Sequence, residues 1–389
     1  MKIVLLTYEA WPTTKAAVSR KVGGLNTIIF YLSRALSEMS QVEVRIACCC
    51  STPERRQAEK TGSNVDEVVL GVNNAGLVRY LSEANPTIVH TAGSDAGSAM
   101  AEVRQSGLDT PWVHTNYATL AVRRAVVEKI PVEAALRDAV AECERLSLIS
   151  CDRVIALSEV DKLETCAVFG IGEEKVEVSH PGVDSTIFTP GPSRGCEHLA
   201  VSAGRMSGIK DYPFLLRAFR SVVSQNRELP PKLLIIGGNE SERQELGIAE
   251  TVKQLGLETN VQFLDGMDQA ELARYFRRAK VFVGSSKHET FGLLPLEARA
   301  CGTPTVVRNN SSYVLLGENG HGGYVVDNQD EKDMANKIAG VLSLKFDAWQ
   351  RMSEEALESS RRYSWLAMAR RCMEVYRDVE KSRCQSAGP

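Results

Sequence analysis

The chain has 389 residues, of which 43% are hydrophobic and 24% are charged, a composition typical of globular proteins. This length predicts two or three domains, because a single core of this size is unusual. With 46 Lys and Arg against 49 Asp and Glu, the formal net charge is −3, which excludes binding of nucleic acid by an overall positive field. An anionic ligand must therefore be bound by a local group of cations.

The N-terminal apolar run from Ile3 to Leu6 is too short for a signal peptide, and no stretch reaches the ~18 apolar residues of a membrane span. We therefore expect a cytoplasmic protein. The ten cysteines contain no Cys-x-x-Cys pair, which favours reduced and mostly buried thiols. The six histidines contain no His-x-x-x-His pair, so neither residue type predicts a metal site.

Short β-branched runs alternate with helical stretches through the first half of the chain. In chain order, strands are predicted at residues 3–7, 42–47, 87–90, 111–115 and 153–157. Helices are predicted between them at residues 25–39, 76–83, 96–105 and 120–150. This alternation is typical of a doubly wound parallel sheet with helices on both faces.

The pattern restarts after a segment rich in Pro and Gly, Thr189 to Glu197, which predicts an exposed linker. Further strands are predicted at residues 199–203, 232–236, 261–264, 280–284 and 303–307, and residues 347–381 predict two charged amphipathic helices. We therefore predict two Rossmann-like α/β domains, residues 1–190 and 191–363, that face each other across a deep cleft. Ligands of such sheets bind beyond the carboxyl ends of the strands, so candidate residues lie on the loops after strands.

Two of these loops combine glycines with features that attract anions. Gly23 and Gly24 precede a predicted helix, where backbone N–H groups and the helix dipole favour an anion, although a plain tight turn explains two glycines as well. Arg205 and Lys210 follow a predicted strand in the second half. The two cations either converge on one anion or remain separate solvated charges.

The most informative constellation extends from Ser285 to Pro304. Glu289 lies on the loop after a predicted strand, and Pro295 suits the first turn of a helix, which places Glu297 about one turn into that helix. Two carboxylates then flank a helix start whose free amides attract phosphate, while the carboxylates accept hydrogen bonds from hydroxyls such as those of a sugar and a ribose.

Three segments together resemble glycosyltransferase family 4, the retaining nucleotide-sugar transferases of two-domain GT-B fold. They are the Glu-x7-Glu segment from Glu289 to Glu297, the loop that holds Arg205 and Lys210, and the segment His180-Pro-Gly-Val-Asp-Ser-Thr-Ile-Phe188. The resemblance runs from the first strand to the C-terminal helices. The segment Lys-Val-Gly-Gly-Leu at 21–25 is also similar to the donor-binding loop of glycogen and starch synthases.

The resemblance implies a nucleotide-sugar as co-substrate and assigns roles to the candidate residues. Arg205 and Lys210 would hold the donor diphosphate, with Gly23 and Gly24 closing over it from the other domain. Glu289 would hydrogen-bond the hydroxyls of the donor sugar.

The resemblance assigns roles to further positions of the site. Glu297 would bind the ribose hydroxyls. The backbone amides of Phe291, Gly292, Leu293 and Leu294 would meet the sugar and the phosphate. His114, expected in the loop that follows the strand in the segment Pro-Trp-Val-His-Thr-Asn-Tyr, matches the histidine near the 6-hydroxyl of the donor sugar. The last segment, 364–389, would be a C-terminal helix that packs back on the N-terminal domain.

Three positions depart from the family pattern or carry no role. Lys210 is followed by Asp211, where many relatives have glycine, so the loop differs while the lysine stays. His180 stands where other residues are frequent and receives no role. His90 lies in the first half near the expected acceptor side, but a strand-end histidine with satisfied hydrogen bonds is the simpler interpretation.

Retention in this family needs no enzymic nucleophile, because the leaving phosphate takes the proton of the acceptor on the same face of the sugar. The protein then has to stabilise charge on the departing diphosphate, a task that Arg205 and Lys210 fit. The chain contains no Asp-x-Asp, so we expect no metal ion and no other cofactor. His114, Arg205, Lys210 and Glu289 are thus the candidate catalytic residues.

We expect transfer of glucose or N-acetylglucosamine from a UDP-sugar to a hydroxyl of a small-molecule, glycan or lipid acceptor. Glucan elongation from ADP- or UDP-glucose, as in glycogen synthases, is an alternative, and so is a nucleotide-sugar epimerase of the same fold. A phosphorylase and a sugar-nucleotide binder without activity are further alternatives. Membrane contact would be peripheral at most, because acidic residues interrupt the basic residues Arg123, Arg124 and Lys129.

Overall fold

The structure, a computed structural model, describes residues 1–7, 24–50, 65–71, 74–117, 119–191, 195, 197–225, 229–310, 321–327 and 329–386. Within these residues the chain divides into two units. One unit comprises the described residues up to Gly182 and the segment that begins at Trp365, and the other extends from Val183 to Ser364. Gly23, with Lys21 and Val22 of the glycine-pair loop, lies outside the described residues.

The first unit contains seven described strands and seven described helices before its C-terminal segment. The strands are β1 (Lys2–Thr7), β2 (Glu43–Cys50), β3 (Val65–Gly71), β4 (Ile88–Ala92), β5 (Trp112–Thr115), β6 (Arg153–Ala156) and β7 (Val176–Val178). The helices are α1 (Gly24–Ser37), α2 (Asn74–Ala84), α3 (Ser94–Gln105), α4 (Leu120–Val126), α5 (Val132–Ala135), α6 (Ala139–Ser150) and α7 (Glu159–Phe169).

These strands form one parallel sheet in the order β3-β2-β1-β4-β5-β6-β7. The central strand β1 pairs with β2 on one side and β4 on the other, so that Ile3 lies between Val44 and Ile88. Ile3 to Leu6 are each at most 2% exposed, as expected for a strand that helices cover on both faces. The continuous apolar runs of the sequence therefore correspond to buried parallel strands.

Residues 120–150 form three helices where the sequence predicted one long helical stretch. α4 ends at Val126, and Lys129 then adopts a left-handed backbone conformation with φ of 55°. Pro131 precedes α5, and the Asp138 side chain starts α6 by accepting a hydrogen bond from the Ala141 N–H at 2.9 Å. The helices therefore end and begin because of local backbone geometry and capping. Apolar periodicity does not indicate either of these.

The second unit contains six described strands and seven described helices. The strands are β8 (Leu199–Ala203), β9 (Lys232–Ile236), β10 (Val261–Leu264), β11 (Val281–Gly284), β12 (Thr305–Arg308) and β13 (Gly323–Val326). The helices are α8 (Tyr212–Gln225), α9 (Glu240–Glu245), α10 (Ile248–Gln254), α11 (Gln269–Arg278), α12 (Leu293–Ala300), α13 (Glu331–Ser343) and α14 (Phe346–Ser360). The chain then continues into α15 (Trp365–Ser386).

The six strands form a second parallel sheet in the order β10-β9-β8-β11-β12-β13. Its core packs aliphatic strand residues against the buried faces of α8 and α13, with Phe219 and Ile338 among the fully buried side chains. The strand order reverses between β8 and β11, as it does between β1 and β4 in the first sheet. Such a reversal leaves a crevice at the carboxyl ends of the two strands, because their connections turn to opposite sides.

Helix α15 belongs to the first unit although it follows the second in sequence. At its start, the Trp365 ring stacks on Tyr31 of α1 with centroids 4.9 Å apart and planes at 9°. Near its end, the Arg383 guanidinium pairs with Asp109 at 2.8 Å and Asp152 at 3.0 Å. Among the described residues, no helix is both long enough and apolar enough to cross a bilayer.

Two buried histidines lie on the neighbouring strands β4 and β5, His90 opposite Val113 and His114 opposite Thr91. The ring nitrogens of His90 are 2.6 Å from the Tyr376 hydroxyl and 2.6 Å from the Thr115 hydroxyl, and Nδ1 of His114 is 2.8 Å from the Thr91 hydroxyl. The prediction that His114 lies in the loop after the strand is wrong: it is inside β5, opposite Thr91. Burial lowers the pKa of His90 to about 3, and burial together with the neighbouring His90 lowers the pKa of His114 to about 3.

The close packing of α3 on α6 leads to a first prediction about stability. A Cβ on Gly97 would lie 2.2 Å from Oγ of Ser147 in α6, so Gly97→Ala should cost about 1–3 kcal/mol by overpacking. Gly340 in α13 has open space around it, and Gly340→Ala should raise the free energy of unfolding by about 0.5–1 kcal/mol. Urea unfolding measures both changes. Equal stabilities of the two variants would contradict the packing seen at Gly97.

The buried histidines lead to a second prediction, about pH. Both stay neutral in the folded state down to about pH 3, whereas the unfolded chain takes up protons below pH 6.5, so folding stability falls as pH falls through this window. Each histidine should contribute about 1.4 kcal/mol per pH unit well below pH 6.5. Urea unfolding at pH 8, 7, 6 and 5 should show little change down to pH 7 and a decline below it. His90→Gln should reduce that decline, and an unchanged slope in this variant would contradict the assignment.

Candidate active site

The loops after β8 and β11 meet at the reversal of strand order in the second sheet. The loop after β8 contains Arg205 and a short 3-10 helix, Gly208–Lys210, and the loop after β11 contains Glu289. The two loops are joined by backbone contacts, because the N–H of Lys287 donates to the carbonyl of Ile209 at 2.8 Å. Ser285 also donates its hydroxyl to the carbonyl of Lys210 at 2.7 Å. The sequence therefore brings two of its three candidate loops into direct contact.

The central contact of this site is an ion pair between Lys210 and Glu289. Glycine at position 204 makes room for it: a Cβ there would lie 2.9 Å from Cε of Lys210, and the backbone has φ of +150°, which side chains rarely adopt. Gly237 at the end of β9 is equally required, because a Cβ there would lie 2.0 Å from the carbonyl oxygen of Gly204. The lysine stem therefore crosses a stretch of bare backbone to reach the carboxylate.

Glu289 is ionised at neutral pH in this environment. Burial alone would raise its pKa, but the Lys210 ammonium and the Ser286 hydroxyl, 2.8 Å from Oε1, lower the pKa below its usual value. A carboxylate has two oxygens and about four lone-pair sites, so it accepts several hydrogen bonds at once. It is therefore suited to accept hydrogen bonds from hydroxyl groups of a ligand.

Asp211, directly after the lysine, is held by a second ion pair. Its carboxylate lies 2.5 Å from the buried Arg308 guanidinium, which stands over the Phe214 ring with its central carbon 4.2 Å from the centroid. The backbone of Asp211 is left-handed, with φ of 47°, a conformation that glycine adopts freely. This geometry explains why glycine suits the position, and the side chain of the aspartate found there is held by Arg308.

Helix α12 begins beside these loops, and no described side chain caps its first amides. Gly292 occupies the N-cap with φ of 96° and provides no side chain, and Pro295 has no N–H, so Leu293 and Leu294 carry the available amides of the first turn. Phe291 is buried, and its ring meets Tyr363 edge-on at 5.4 Å. The start of the helix thus combines free N–H groups with the positive end of the helix dipole.

A small pocket lies between these features at the carboxyl ends of β8 and β11. Its lining includes Ala203, Lys210, Tyr212, Ser285, Ser286 and Leu294. The Lys210 cation, the hydroxyl-bearing side chains of Tyr212, Ser285 and Ser286, and the start of α12 therefore border one space. Such a set can bind an anion together with neutral hydroxyl groups.

Glu297 and Arg205 complete the candidate residues of the second unit. Glu297 lies in α12 and is only 6% exposed. Its side chain makes no hydrogen bond or ion pair with any described residue, and burial raises its pKa to about 8. It is therefore mostly protonated at pH 7 and can both donate to and accept from hydroxyls. Arg205 is exposed and has no side-chain partner in the described part of the chain, so its five N–H donors are open to a ligand.

The remaining predicted site residues belong to the first unit. Gly24 is the first residue of α1, at the carboxyl edge of the first sheet, and its neighbour Leu25 lies 3.1 Å from where a Cβ on Gly93 would stand. Gly23 lies outside the described residues. His114 is buried in β5 with its Nδ1 on Thr91, and its Nε2 makes no hydrogen bond to a described residue.

Three residues of the site were absent from the sequence-based predictions. Ser286 supports Glu289, Arg308 supports Asp211, and Asn310 donates to the carbonyl of Ser286 at 2.7 Å. The Asn310 Oδ1 atom is buried without a hydrogen-bond partner among the described residues. Arg308 and Asn310 end the strand β12 and begin its loop, so the rule that directed attention to loops after strands could have found them.

Within the described residues, no group of three or more His, Cys, Asp or Glu side chains could hold a metal ion. The candidate site instead offers ammonium and guanidinium groups, helix amides and carboxylates. This set is suited to binding a phosphorylated ligand that also has hydroxyl groups.

Two family models match the chain, one for each unit. The model described as Glycosyltransferase Family 4 matches residues 22–187, and the model described as Glycosyl transferases group 1 matches residues 185–359. A curated relative, the D-inositol 3-phosphate glycosyltransferase of Corynebacterium urealyticum, is 27% identical over 97% of this chain and 96% of its own. The D-inositol 3-phosphate glycosyltransferase 2 of Catenulispora acidiphila is 31% identical over 60% of this chain, and the match spans 58% of that relative's length.

Solved structures of two other proteins share the fold. Sucrose-phosphate synthase from Thermosynechococcus elongatus superposes with a TM-score of 0.83 at 21% identity, covering 98% of this chain and 99% of its own. Anabaena HepE, solved in complex with UDP and glucose, superposes with a TM-score of 0.76 at 17% identity, covering 97% of this chain and 100% of its own. Since the two models together span residues 22–359 and the fold is shared over nearly the whole chain, this protein belongs to the glycosyltransferases of family 4 and has their two-domain α/β GT-B fold.

Proposed function

We propose that this enzyme transfers a hexosyl group, of the glucose or N-acetylglucosamine type, from a UDP-sugar to a hydroxyl of a small acceptor, with retention and without a metal ion. The observation that carries this proposal is the Lys210–Glu289 ion pair beside the uncapped start of α12. It holds a phosphate-binding cation next to a hydroxyl-binding carboxylate. A nucleotide-sugar presents these two chemistries side by side, as diphosphate and sugar.

In this proposal the second unit stabilises the leaving group. Arg205 and Lys210 bind the diphosphate, and the amides of Leu293 and Leu294 add helix-end donors, so negative charge that develops on the departing oxygen is neutralised. The Lys210 ammonium has three N–H donors, so it maintains its ion pair with Glu289 while it binds phosphate. Glu289 accepts hydrogen bonds from the sugar hydroxyls, and Glu297 binds the ribose hydroxyls.

The remaining roles concern the sugar and the proton. Because the diphosphate leaves from the face on which the acceptor arrives, its oxygen takes the proton of the acceptor hydroxyl, and no side chain has to act as nucleophile. His114 is assigned to a hydroxyl of the donor sugar. Its lowered pKa suits a neutral ring in this role, which hydrogen-bonds without adding charge.

The names of the relatives favour particular substrates. HepE was solved with UDP and glucose, which supports a UDP-sugar as donor. The relatives are named for inositol 3-phosphate and for sucrose phosphate, which supports a small phosphorylated polyol or sugar among the possible acceptors. Glycans and lipids are less favoured by these names.

The donor and the absence of a metal requirement can be tested together. UDP should raise the melting temperature more than ADP or GDP, since a ligand at ~100 times its Kd stabilises a protein by ~2.7 kcal/mol. UDP-glucose and UDP-N-acetylglucosamine should then be assayed for UDP release with inositol phosphates as acceptors, with and without EDTA. EDTA should leave the rate unchanged. Loss of turnover in EDTA with recovery in magnesium would contradict metal independence, and a preference for ADP-glucose would favour the glucan-elongating alternative.

Removing either cation should weaken binding of the transition state more than binding of the substrate. Arg205→Ala and Lys210→Ala should each lower kcat/KM by about 100-fold, or about 3 kcal/mol, by analogy with the loss of one oxyanion donor. Arg205 is exposed, so its replacement does not disturb the core, and the exposed Lys253→Ala in the same unit is the matched control. An Arg205→Ala enzyme with turnover within twofold of the Lys253→Ala control would refute the assignment.

A further inference from the structure

The side chains around His114 determine which of its ring nitrogens carries the proton. Nδ1 of His114 lies 2.8 Å from Oγ1 of Thr91 on the neighbouring strand β4. The same Oγ1 atom lies 2.7 Å from Nε1 of Trp112, two residues before the histidine on β5. All three side chains are buried, with exposures of 0–2%.

The indole decides the direction of both hydrogen bonds. The Nε1–H of Trp112 can only donate, so the Thr91 oxygen is its acceptor. The hydroxyl hydrogen of Thr91 then needs an acceptor of its own, because a buried donor without a partner is costly. The ring nitrogen of His114 is the acceptor within reach among the described residues, which leaves Nδ1 without a proton.

The packing of the ring supports this geometry. A Cβ on Gly97 of α3 would lie 2.9 Å from Cε1 of His114, so the edge of the ring between its two nitrogens lies against bare backbone. Nδ1 is bound to Thr91 at one side of this edge. Nε2, at the other side, makes no hydrogen bond to any described residue.

We infer that Thr91 and Trp112 are positioning residues that hold His114 as the neutral tautomer protonated at Nε2. The histidine then presents an N–H donor, and a bound sugar has to offer it an oxygen lone pair. The catalytic part of this inference rests on the proposed function, in which His114 contacts the donor sugar, whereas the tautomer does not depend on it. His114 is therefore a hydrogen-bond donor in the reaction and takes up no proton from substrate.

The tautomer can be read directly by nitrogen NMR of the full-length protein labelled with 15N-histidine, with His114 assigned by its loss in His114→Gln. The wild type should show a protonated, pyrrole-type Nε2 and an unprotonated, pyridine-type Nδ1. Thr91→Val should shift the Nδ1 signal towards that of a nitrogen without a hydrogen bond. Thr91→Ser, which keeps the hydroxyl, should resemble the wild type. A pyrrole-type Nδ1 in the wild type would overturn the inference.

Kinetics test the consequence of the tautomer, with release of UDP from UDP-glucose as the assay. Thr91→Val should lower kcat about tenfold with KM within about twofold, the size expected for one hydrogen bond that strengthens in the transition state, and Thr91→Ser should restore kcat. Thr110→Val replaces another buried threonine of the same unit, 8% exposed, and should leave kcat unchanged. An unchanged kcat in Thr91→Val would overturn the positioning role.

The two assays separate the inference from the proposed function. If the wild type releases no UDP from any UDP-sugar, the proposed function is contradicted, and the NMR measurement alone decides the tautomer. If the wild type turns over UDP-glucose but shows protonated Nδ1, the proposed function stands and the inference is wrong. Urea unfolding of Thr91→Val and Thr91→Ser distinguishes loss of the fold from loss of the hydrogen bond.

Discussion

The reversal of strand order between β8 and β11 is the constraint on which the candidate site depends. At this point the connections leave neighbouring strands towards opposite faces of the sheet, which leaves a crevice at their carboxyl ends. The loops that follow β8 and β11 must pass each other there. Lys210 and Glu289 meet because they lie on those two loops, and α12 starts beside them because it is the helix that follows β11.

The site balances its own charges before any ligand binds. Glu289 pairs with Lys210, and Asp211 pairs with Arg308, so two carboxylates neutralise two cations in a half-buried region. Burying these groups singly would be costly, and pairing offsets the cost. Arg205 stays exposed and without a partner in the described part of the chain, so its guanidinium is open to an anionic ligand. A net charge of −3 is therefore compatible with an anion-binding site, because the cations are concentrated locally.

Much of the fold was predictable from the sequence, because buried parallel strands are continuous apolar runs separated by helices. That alternation identified the two-domain α/β class, and the spacing of Glu289 and Glu297 placed one carboxylate on a loop and the other in a helix. What the sequence could not predict depends on contacts between distant segments. The pairing of Asp211 with Arg308 joins positions 97 residues apart, and no local pattern announces it.

His114 shows the same limit at shorter range. We expected it in the loop that follows the strand in the segment Pro-Trp-Val-His-Thr-Asn-Tyr. In the structure its neighbours on β4 provide polar partners, so the strand accommodates a histidine without leaving it unsatisfied. The periodicity of apolar residues indicates whether one face of a strand is buried. It does not indicate whether the neighbouring strand has a hydroxyl group within hydrogen-bond distance. The contact with the Thr91 hydroxyl therefore explains both why His114 lies in the strand and which tautomer it adopts.

The two units contribute different electrostatics to the proposed transfer. In the first sheet the buried histidines are neutral, because burial makes a charged ring unfavourable and each ring has hydroxyl partners. In the second unit Glu289 is charged because Lys210 lies next to it. In a transfer reaction the departing diphosphate gains charge, whereas the sugar hydroxyls stay neutral. In the proposed transfer, fixed cations at the diphosphate therefore stabilise the leaving group, whose charge changes. The neutral N–H donor at the sugar stabilises the bound sugar less, because its hydroxyls stay neutral.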